Sequence, residues 1–554
     1  MAATAVAGEE QGRLVEAEPT AVVVEERRPA GEEKRFRPYD ADQVLLMAPV
    51  LSEWIPEGDL AHFVSDLVES GTLDLSAIYA DYGEERGSPP YDPRLMVKLL
   101  LYGYANGIVS SRKLERATYR DVAVRMLCAD QHPDYRSIAR FRARHLEALG
   151  ELFVQALRLC RRARLVGLGA LALDGTKLRA NASRHKAMSY ERMVTAEARL
   201  EAEIAALRAN VAALLAEAEA VDAEEDERYG PDRRGDELPA ELQRREQRLA
   251  RIREAKQALE AEAAEREAAR RAELEAQGKT PRAPRDGRDP FAPKPGAQRN
   301  FSDPESRIMK TSGGAYHQCY NGQAIVDATA QVIVAAELSD EAPDARQLEP
   351  ALEQLAENLE AIDAELPEGA ALSADAGYFS EDNVGITAGH GLDPHIATGR
   401  FKHSEPQPPA PRGPVAKNAT AKQRMARKLR TKKGRAVYAR RKAIVEPVFG
   451  QIDTVQDARR LLLRGKQAAR AQWRFHCTIH NLLKLHRAGG LDLISDRNTR
   501  NSIPASHAVG KRRALATLAT ARRTLAGRFQ RSLATISAHG FARIAPTAVT
   551  DTGS

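Results

Sequence analysis

Apolar residues recur at three- and four-residue spacing in the first third of the chain, which is the pattern of amphipathic helices. Three segments carry it most clearly: DLAHFVSDLVES, DPRLMVKLLLYGYANG and RSIARFRARHLEALGELFVQALRLCRRARL. Pro133 and Asp134 precede the last segment, as a stop and an N-cap would. We therefore predict an all-helical region from Arg35 to about Leu165, ending in one long helix.

The start of that last helix is rich in arginine. Arg136, Arg140, Arg142 and Arg144 lie there, while Ile138 and Phe141 can face a core. A short helix pair that ends in such a helix is a candidate DNA reader. An ordinary amphipathic helix with a charged outer face fits the same pattern, and the sequence leaves both interpretations open.

The apolar pattern changes after Leu165. LVGLGALALDGTKL is a continuous apolar run typical of a buried strand, and Asp174 interrupts it. YNGQAIVDAT and QVIVAAELS are separated by a short connection and predict a hairpin, and GAALSADAGYFS predicts a strand that ends at Asp375. Two long helical patterns, which we interpret as an intramolecular antiparallel pair, separate the first strand from the others.

Together these elements predict an α/β fold with large all-α parts: a mixed sheet domain split by a long helical insertion and preceded by an all-helical domain, which is the candidate DNA-binding domain. The predicted divisions are a disordered acidic tail (1–34), the helical domain (35–165), the sheet domain (166–183 with 301–486), the helical hairpin insertion with its linker (184–300) and a basic tail (487–554).

Charge is distributed unevenly along the 554 residues, whose formal net charge is +6. Met1 to Glu33 holds eight acids and three bases, whereas Pro411 to Ile444 holds thirteen bases and no acid. Basic blocks of this density point to a polyanion partner, most often nucleic acid. We expect the Pro-rich, basic stretch from Ser404 to about Ala421 to be disordered.

The remaining composition sets the class of protein. The four cysteines are scattered without CxxC spacing, which favours a reducing compartment. No apolar run is long enough to span a bilayer, and the acidic N-terminus does not resemble a signal peptide. We expect a soluble, cytoplasmic protein with no membrane partner.

Two carboxylates share a context. Asp174 and Asp375 each follow small apolar residues in a predicted central strand, and a glycine lies close behind each. Ionised carboxylates are costly there unless they are paired or bind a cation. Oxygen ligands suit hard divalent ions, and a two-metal site performs in-line phosphoryl displacement. Alternatively, each aspartate only ends its strand and caps a turn.

Glu446 is the third candidate. Apolar residues after it fall on one helical face, and the glutamate lies on an adjacent stripe. Pro447 follows directly and has no N–H to donate. Either a helix therefore starts near Ile444, or a longer helix is kinked there.

Four ordered motifs carry a family resemblance: LDGTKLRANAS, YNGQAIVD, SADAGYFSEDN and RRKAIVEPVFGQID. Together they resemble the DDE transposases of bacterial insertion sequences. The helical region, from FRPYDADQVLLMAPVLSEWIPE to SIARFRARH, resembles the N-terminal domain of that group, so the likeness runs from about Arg35 to Leu485.

The resemblance implies a ribonuclease H-like catalytic domain in which Asp174, Asp375 and Glu446 bind two Mg²⁺ ions, with Mn²⁺ as a possible substitute. It implies cleavage at the terminal inverted repeats of a mobile element and joining of the freed ends to target DNA. A homodimer on DNA and a bacterial, nucleoid-associated location follow from the same analogy.

The resemblance also assigns DNA contacts. Tyr438 and Arg441 match the family's signature around the glutamate, although Arg441 lies one residue further from it than usual. With Arg440 and Lys442 they are expected to bind DNA near the site. The family's lysine, seven residues after the glutamate, is Asp453 here, and Arg464 and Lys466 are candidate substitutes.

Two alternative functions remain open. Asp453 and the unusual spacing of Arg441 motivate a catalytically inactive DNA-binding regulator of the element; the other alternative is a metal-dependent nuclease without strand transfer. His476, Cys477 and His480 have helical spacing that could suggest zinc, but a packed helix is the favoured interpretation.

Overall fold

The computed structural model describes residues 36, 39, 50–83, 88–183, 186–229, 240–276, 278–282, 284, 287–311, 313–399, 410–416 and 418–494, with backbone alone for 210–229 and 240–242. The predicted acidic tail, most of the predicted basic tail and part of the Ser404–Ala421 stretch lie outside these residues. One compact unit extends to Ala488, and a second begins at Gly489.

Helices fill the N-terminal region, as predicted. Asp134 caps α6 by accepting from the N–H groups of Arg136 and Ser137. The prediction of a single long helix here was wrong, because His145 leaves the helical conformation and divides it. Its buried ring contacts the Tyr82 hydroxyl (3.0 Å) and Asp81 Oδ2 (2.9 Å). The helices are α1 Leu60–Glu69, α2 Ser76–Tyr79, α3 Pro93–Ala105, α4 Ser111–Arg120, α5 Val122–Leu127, α6 Tyr135–Arg144 and α7 Leu146–Arg162.

A mixed sheet forms the centre of the compact unit. In chain order the strands are β1 Ala170–Arg179, β2 Ala187–Ser189, β3 Gln298–Asn300, β4 Arg307–Lys310, β5 Tyr316–Asp327, β6 Ile333–Ser339, β7 Ala371–Ala374 and β8 Asp393–Ile396. The order across the main sheet is β4-β5-β1-β7-β8, with β6 also paired to β5. β1, β7 and β8 are parallel, whereas β5 is antiparallel to both β1 and β6. The predicted hairpin and the predicted strand before Asp375 are confirmed.

Two long helices, α8 Tyr190–Tyr229 and α9 Ala240–Ala276, lie between β1 and its antiparallel neighbour β5. They run antiparallel, since Glu197 accepts from Arg253 and Lys256 while Tyr190 donates to Glu260. Buried apolar residues from both helices pack in the seam. The predicted intramolecular pair is therefore confirmed.

The helices after the hairpin are α10 Leu348–Ala361, α11 Glu381–Gly389, α12 Ala421–Arg430, α13 Lys432–Thr454 and α14 Lys466–Ala488. α14 packs against the sheet, where Trp473 donates to the Gln323 carbonyl and Asn481 bonds both backbone groups of Ile333. α7 packs on α14 so closely that a Cβ on Gly150 would lie 3.4 Å from Ala471 Cα. The N-terminal helices and the sheet therefore share one core.

α13 contains Pro447 in its interior, so a helix start near Ile444 was the wrong alternative. Proline cannot donate to the carbonyl four residues earlier, which is that of Ala443. Gln331, in the turn between β5 and β6, donates its side-chain Nε2 to this carbonyl at 2.8 Å. A residue 112 positions away thus replaces the bond that proline removes.

All four cysteines are buried free thiols. Across the part of the chain that the structure describes, the helices lack the combination of length and apolar character that a membrane span requires.

Candidate active site

Asp174 and Asp375 lie at the same level of two neighbouring strands. β1 and β7 are parallel, and their pairing ends with Leu173 opposite Ala374, one residue before each aspartate. Asp375 caps the 3-10 turn Ala376–Tyr378, with Oδ1 accepting from the Gly377 N–H at 2.8 Å. The parallel register therefore brings two carboxylates from distant parts of the sequence together.

The two carboxylates influence each other. Burial raises the pKa of Asp174, the nearby Arg441 guanidinium partly offsets that rise, and the charge of Asp375 adds to it. A divalent cation between such groups would lower their mutual repulsion.

Arg441 holds Asp174 directly. Its Nη1 donates to Asp174 Oδ2 at 2.9 Å, and only 10% of the Arg441 side chain is exposed. Tyr438 is half-buried beside it, with the guanidinium 6.0 Å from the ring centre. In this structure Arg441 thus faces the carboxylate, whereas Arg440 and Lys442 are exposed.

Glu446 lies apart from the aspartates. Val445, Val448 and Ile452 form the buried stripe of α13, and Glu446 lies off that stripe with 62% of its side chain exposed. Lys442 Nζ is 3.9 Å from its Oε1. Within the described ranges, no three His, Cys, Asp or Glu side chains are grouped so that they could hold a metal ion.

The residue after Asp174 is a glycine because a larger side chain would not fit there. A Cβ on Gly175 would lie 2.6 Å from Gln323 Nε2, so the strand leaves room for the Gln323 amide. The buried Tyr378 donates its hydroxyl to Gln323 Oε1. Gln323 therefore connects β1 to the turn that carries Asp375, and sequence reasoning identified neither of these partners.

Asp344 is a further carboxylate that sequence reasoning missed. Its Oδ1 accepts from Lys177 Nζ and Asn321 Nδ2, both at 2.9 Å. A Cβ on Gly377 would lie 3.4 Å from Asp344 Oδ2 and 3.0 Å from Asp375 Oδ1. Asp344 follows an acidic loop without an apolar run before it, so the strand-end pattern that found the other two aspartates could not find it.

The other candidate DNA contacts lie on one helix, α6. Arg136 and Arg140 are exposed on α6, with Arg136 Nε 3.1 Å from the Tyr135 hydroxyl. Arg144 is exposed over the Tyr82 ring and lies 3.8 Å from Asp81.

Asp453 is half-buried at the end of α13. Burial raises the pKa of its carboxyl group, and Arg459 opposes that rise. Of its two suggested substitutes, Lys466 is paired with Asp340 at 2.8 Å, whereas Arg464 is exposed.

The histidines of α14 are packing residues. His476 Nδ1 lies 3.0 Å from Gln456 Oε1, and His480 Nε2 lies 2.8 Å from the Gln331 carbonyl oxygen. Burial lowers the pKa of His476 to about 3 and that of His480 to about 4. These contacts favour the packed-helix interpretation over a zinc site.

The donor set of the site suits a hard cation. Asp174 and Asp375 offer carboxylate oxygens and repel each other, which is the chemistry that Mg²⁺ relieves. Asp174 and Asp375 are the two residues placed to bind such an ion, because the Glu446 side chain faces solvent. One of the Asp174 oxygens, Oδ2, accepts a hydrogen bond from Arg441.

Comparison with known proteins gave two family matches. Residues 49–144, which span α1 to α6, match the model of a transposase domain (DUF772). Residues 282–482, which include Asp375 and Glu446 but begin after Asp174, match the model of a transposase DDE domain. No curated protein and no solved structure matched the chain.

Proposed function

Because the chain belongs to the DDE transposases of insertion-sequence type, we propose that it cleaves the terminal inverted repeats of its element and joins them to target DNA. The observation that carries this proposal is the placement of Asp174 and Asp375 at one level of adjacent parallel strands. Both residues directly follow the last paired residues of the parallel β1–β7 ladder, and ligands bind at such carboxyl ends of parallel strands.

We further propose that the sheet is ribonuclease H-like. The supporting features are an antiparallel β6-β5-β1 half followed by parallel β7 and β8, with Asp174 on β1 and Asp375 directly after β7. The long hairpin of α8 and α9 is then an insertion between the first and second strands of that domain.

In this proposal Asp174, Asp375 and Glu446 would hold two Mg²⁺ ions, with Mn²⁺ as a substitute, and the exposed carboxylate of Glu446 would have to move towards the two aspartates to do so. When bound, such ions activate water, and later a DNA 3′-hydroxyl, and stabilise the leaving oxygen. No covalent link between protein and DNA is needed, so no nucleophilic side chain is assigned.

Arg441 has two partners in this scheme. Its Nη1 donates a hydrogen bond to Asp174 Oδ2 in the present arrangement. When that oxygen serves as a ligand, the guanidinium becomes available to a DNA phosphate beside the site. Arg440 and Lys442, exposed on the same helix, add phosphate contacts that are sensitive to salt and indifferent to sequence.

The N-terminal helices would supply recognition. Arg136 and Arg140 project from α6, and Arg144 follows at its end. We propose that this face reads the terminal repeats, that two copies of the chain bring two DNA ends together, and that the reaction takes place on the bacterial nucleoid.

A second candidate function is a catalytically inactive DNA-binding regulator of the element. It is favoured by the solvent-facing position of Glu446 and by Asp453 at the position of the family's lysine. It differs from the first proposal in one respect that can be measured: DNA is bound but never cut.

The test uses the purified full chain, Mg²⁺ and a labelled duplex from the DNA that flanks the gene. We expect nicked and joined products from the parent, neither from Asp174→Ala or Asp375→Ala, and normal products from Glu357→Ala, which removes an exposed carboxylate on α10. Cutting by both aspartate variants would refute the assignment. Binding without cutting would support the regulator, and nicks without joining would indicate a nuclease.

A further inference from the structure

The segment between α13 and α14 carries a dense basic surface. We call residues 459–466 the arginine loop; it holds four basic residues and no acid in RRLLLRGK. Arg459, Arg460 and Arg464 are exposed. Lys466 is not part of that exposed set, since its ammonium is paired with Asp340.

Backbone hydrogen bonds fix the first half of the arginine loop to β1. The Arg179 N–H donates to the Arg459 carbonyl at 3.1 Å, and the Leu461 N–H donates to the Arg179 carbonyl at 2.8 Å. This parallel bridge extends the sheet. Asn181 then donates its side-chain amide to the Leu462 carbonyl at 2.7 Å, so the loop follows the end of β1 for several residues.

Two carboxylates, the buried Asp303 and the exposed Glu305, fix the second half. Asp303 is fully buried and accepts from the Tyr320 hydroxyl at 2.8 Å and the Gly465 N–H at 3.2 Å. Glu305 accepts from the Lys466 N–H at 2.7 Å. Burying a carboxylate is costly, so this anchoring indicates that the loop has one specified conformation rather than several.

The arginine loop lies on the same edge of β1 as the candidate active site. Every second residue of a strand directs its backbone N–H and C=O groups to the same neighbour. Those of Leu171 and Leu173 face β7, and those of Arg179, six residues after Leu173, face the loop. Asp174 and Arg179 are five residues apart, which corresponds to about 17 Å along a strand. At 3.4 Å per base pair, this is roughly five base pairs of duplex.

We propose that Arg459, Arg460 and Arg464 bind the phosphates of duplex DNA about five base pairs from the phosphate that reacts at Asp174 and Asp375. This inference rests on the proposed function, which it deepens by assigning a second DNA-contact surface. A rigid basic edge in line with the site would set how far along the duplex the reacting phosphate lies.

The position of Arg459 also bears on Asp453. The electrostatic interaction between these two residues opposes the rise that burial causes in the pKa of Asp453. The positive charge that the family places on the helix itself is supplied, in this chain, by the loop that follows the helix.

The experiment measures how the binding constant for a labelled linear duplex changes with salt concentration, in the parent chain and in Arg459→Ala/Arg460→Ala/Arg464→Ala. Each lost phosphate contact reduces the slope of log K against log salt by about 0.9. We expect the triple variant to lose up to about 3 from the slope. Replacement of the same three residues by lysine, which keeps the charge, should preserve it.

The matched control is Arg199→Ala/Arg248→Ala/Arg251→Ala, which removes three exposed charges from α8 and α9. An equal loss in this control would show a general charge effect and overturn the inference. Arg460 and Arg464 also hydrogen-bond to Asn181, so their removal can lower the melting temperature of the triple variant. In that case Arg459→Ala alone is the variant to use. We expect it to lose about 1 from the slope.

Failure of the inference and failure of the proposed function have different signatures. A triple variant that binds with the parent's slope, in a chain that cuts DNA, would refute the role of the arginine loop alone. A parent chain that neither cuts DNA nor binds it in a salt-dependent manner would refute the proposed function itself.

Discussion

Replacing Arg441 by alanine should lower the free energy of unfolding in the absence of Mg²⁺ and raise the affinity for Mg²⁺. The perturbed contact is the 2.9 Å bond from Nη1 to Asp174 Oδ2. At an effective dielectric constant of ~20, two unit charges at this separation attract by roughly 6 kcal/mol. Desolvation of both groups offsets most of this, and a hydrogen bond between charged groups contributes about 1.5–3 kcal/mol net.

The variant leaves Asp174 beside Asp375 without a counter-charge. In EDTA we expect a loss of about 2 kcal/mol in the free energy of unfolding. In the proposed function a cation would take the oxygen that now accepts from Arg441, so removal of Arg441 should raise Mg²⁺ affinity, and 1.4 kcal/mol corresponds to about tenfold. Mg²⁺ should therefore recover part of the lost stability.

The assay combines thermal unfolding in EDTA and in Mg²⁺ with calorimetric titration of Mg²⁺. Arg440→Ala, which removes an exposed arginine next along the helix, is the matched control and should change neither quantity. The reasoning would be refuted by equal destabilisation of Arg441→Ala in both buffers together with unchanged Mg²⁺ affinity.

Two further predictions concern stability. A Cβ on Gly434 would lie 2.0 Å from the Lys428 carbonyl oxygen, so Gly434→Ala should lower the melting temperature through an overlap costing about 1–3 kcal/mol, whereas Gly450→Ala, with open space around it, should not. His476 and His480 stay neutral in the fold, with pKa values of about 3 and about 4. The unfolded chain protonates them below ~6.5, so stability should fall as the pH drops from there towards ~4, and His476→Asn/His480→Asn should flatten the measured profile.

Elements with strong local patterns could be predicted from the sequence. β5 and β6 alternate or run apolar around a short turn, and the strand before Asp375 is a run of small apolar residues. β8 and α12 were missed. β8 is four residues long and contains Pro394, which argues against a strand, and α12 lies in a basic stretch with few apolar residues.

The single helix predicted in the N-terminal region and the undecided helix start near Pro447 illustrate a different limit. The break at His145 depends on Tyr82 and Asp81, and the continuity of α13 depends on Gln331. Each partner is far away in sequence, so no local pattern could indicate it.

The candidate site was predictable only in part. The strand context identified Asp174 and Asp375, and the parallel register of β1 and β7 places them at one level. The contact of Arg441 with Asp174, the exposure of Glu446 and the position of Asp344 follow from the packing of α13 and of the turn after β6. Those placements depend on tertiary contacts that residue spacing does not encode.

The central claim is that Asp174, Asp375 and Glu446 serve one metal-dependent reaction. Single-turnover cleavage of a labelled element end in Mg²⁺ tests it, with Asp174→Asn, Asp375→Asn, Glu446→Gln and the double variant Asp174→Asn/Glu446→Gln. Residues that act as a unit are strongly non-additive, so each single variant should lose nearly all cleavage and the double variant should be no worse. Glu446→Gln that cuts DNA as fast as the parent would contradict the claim.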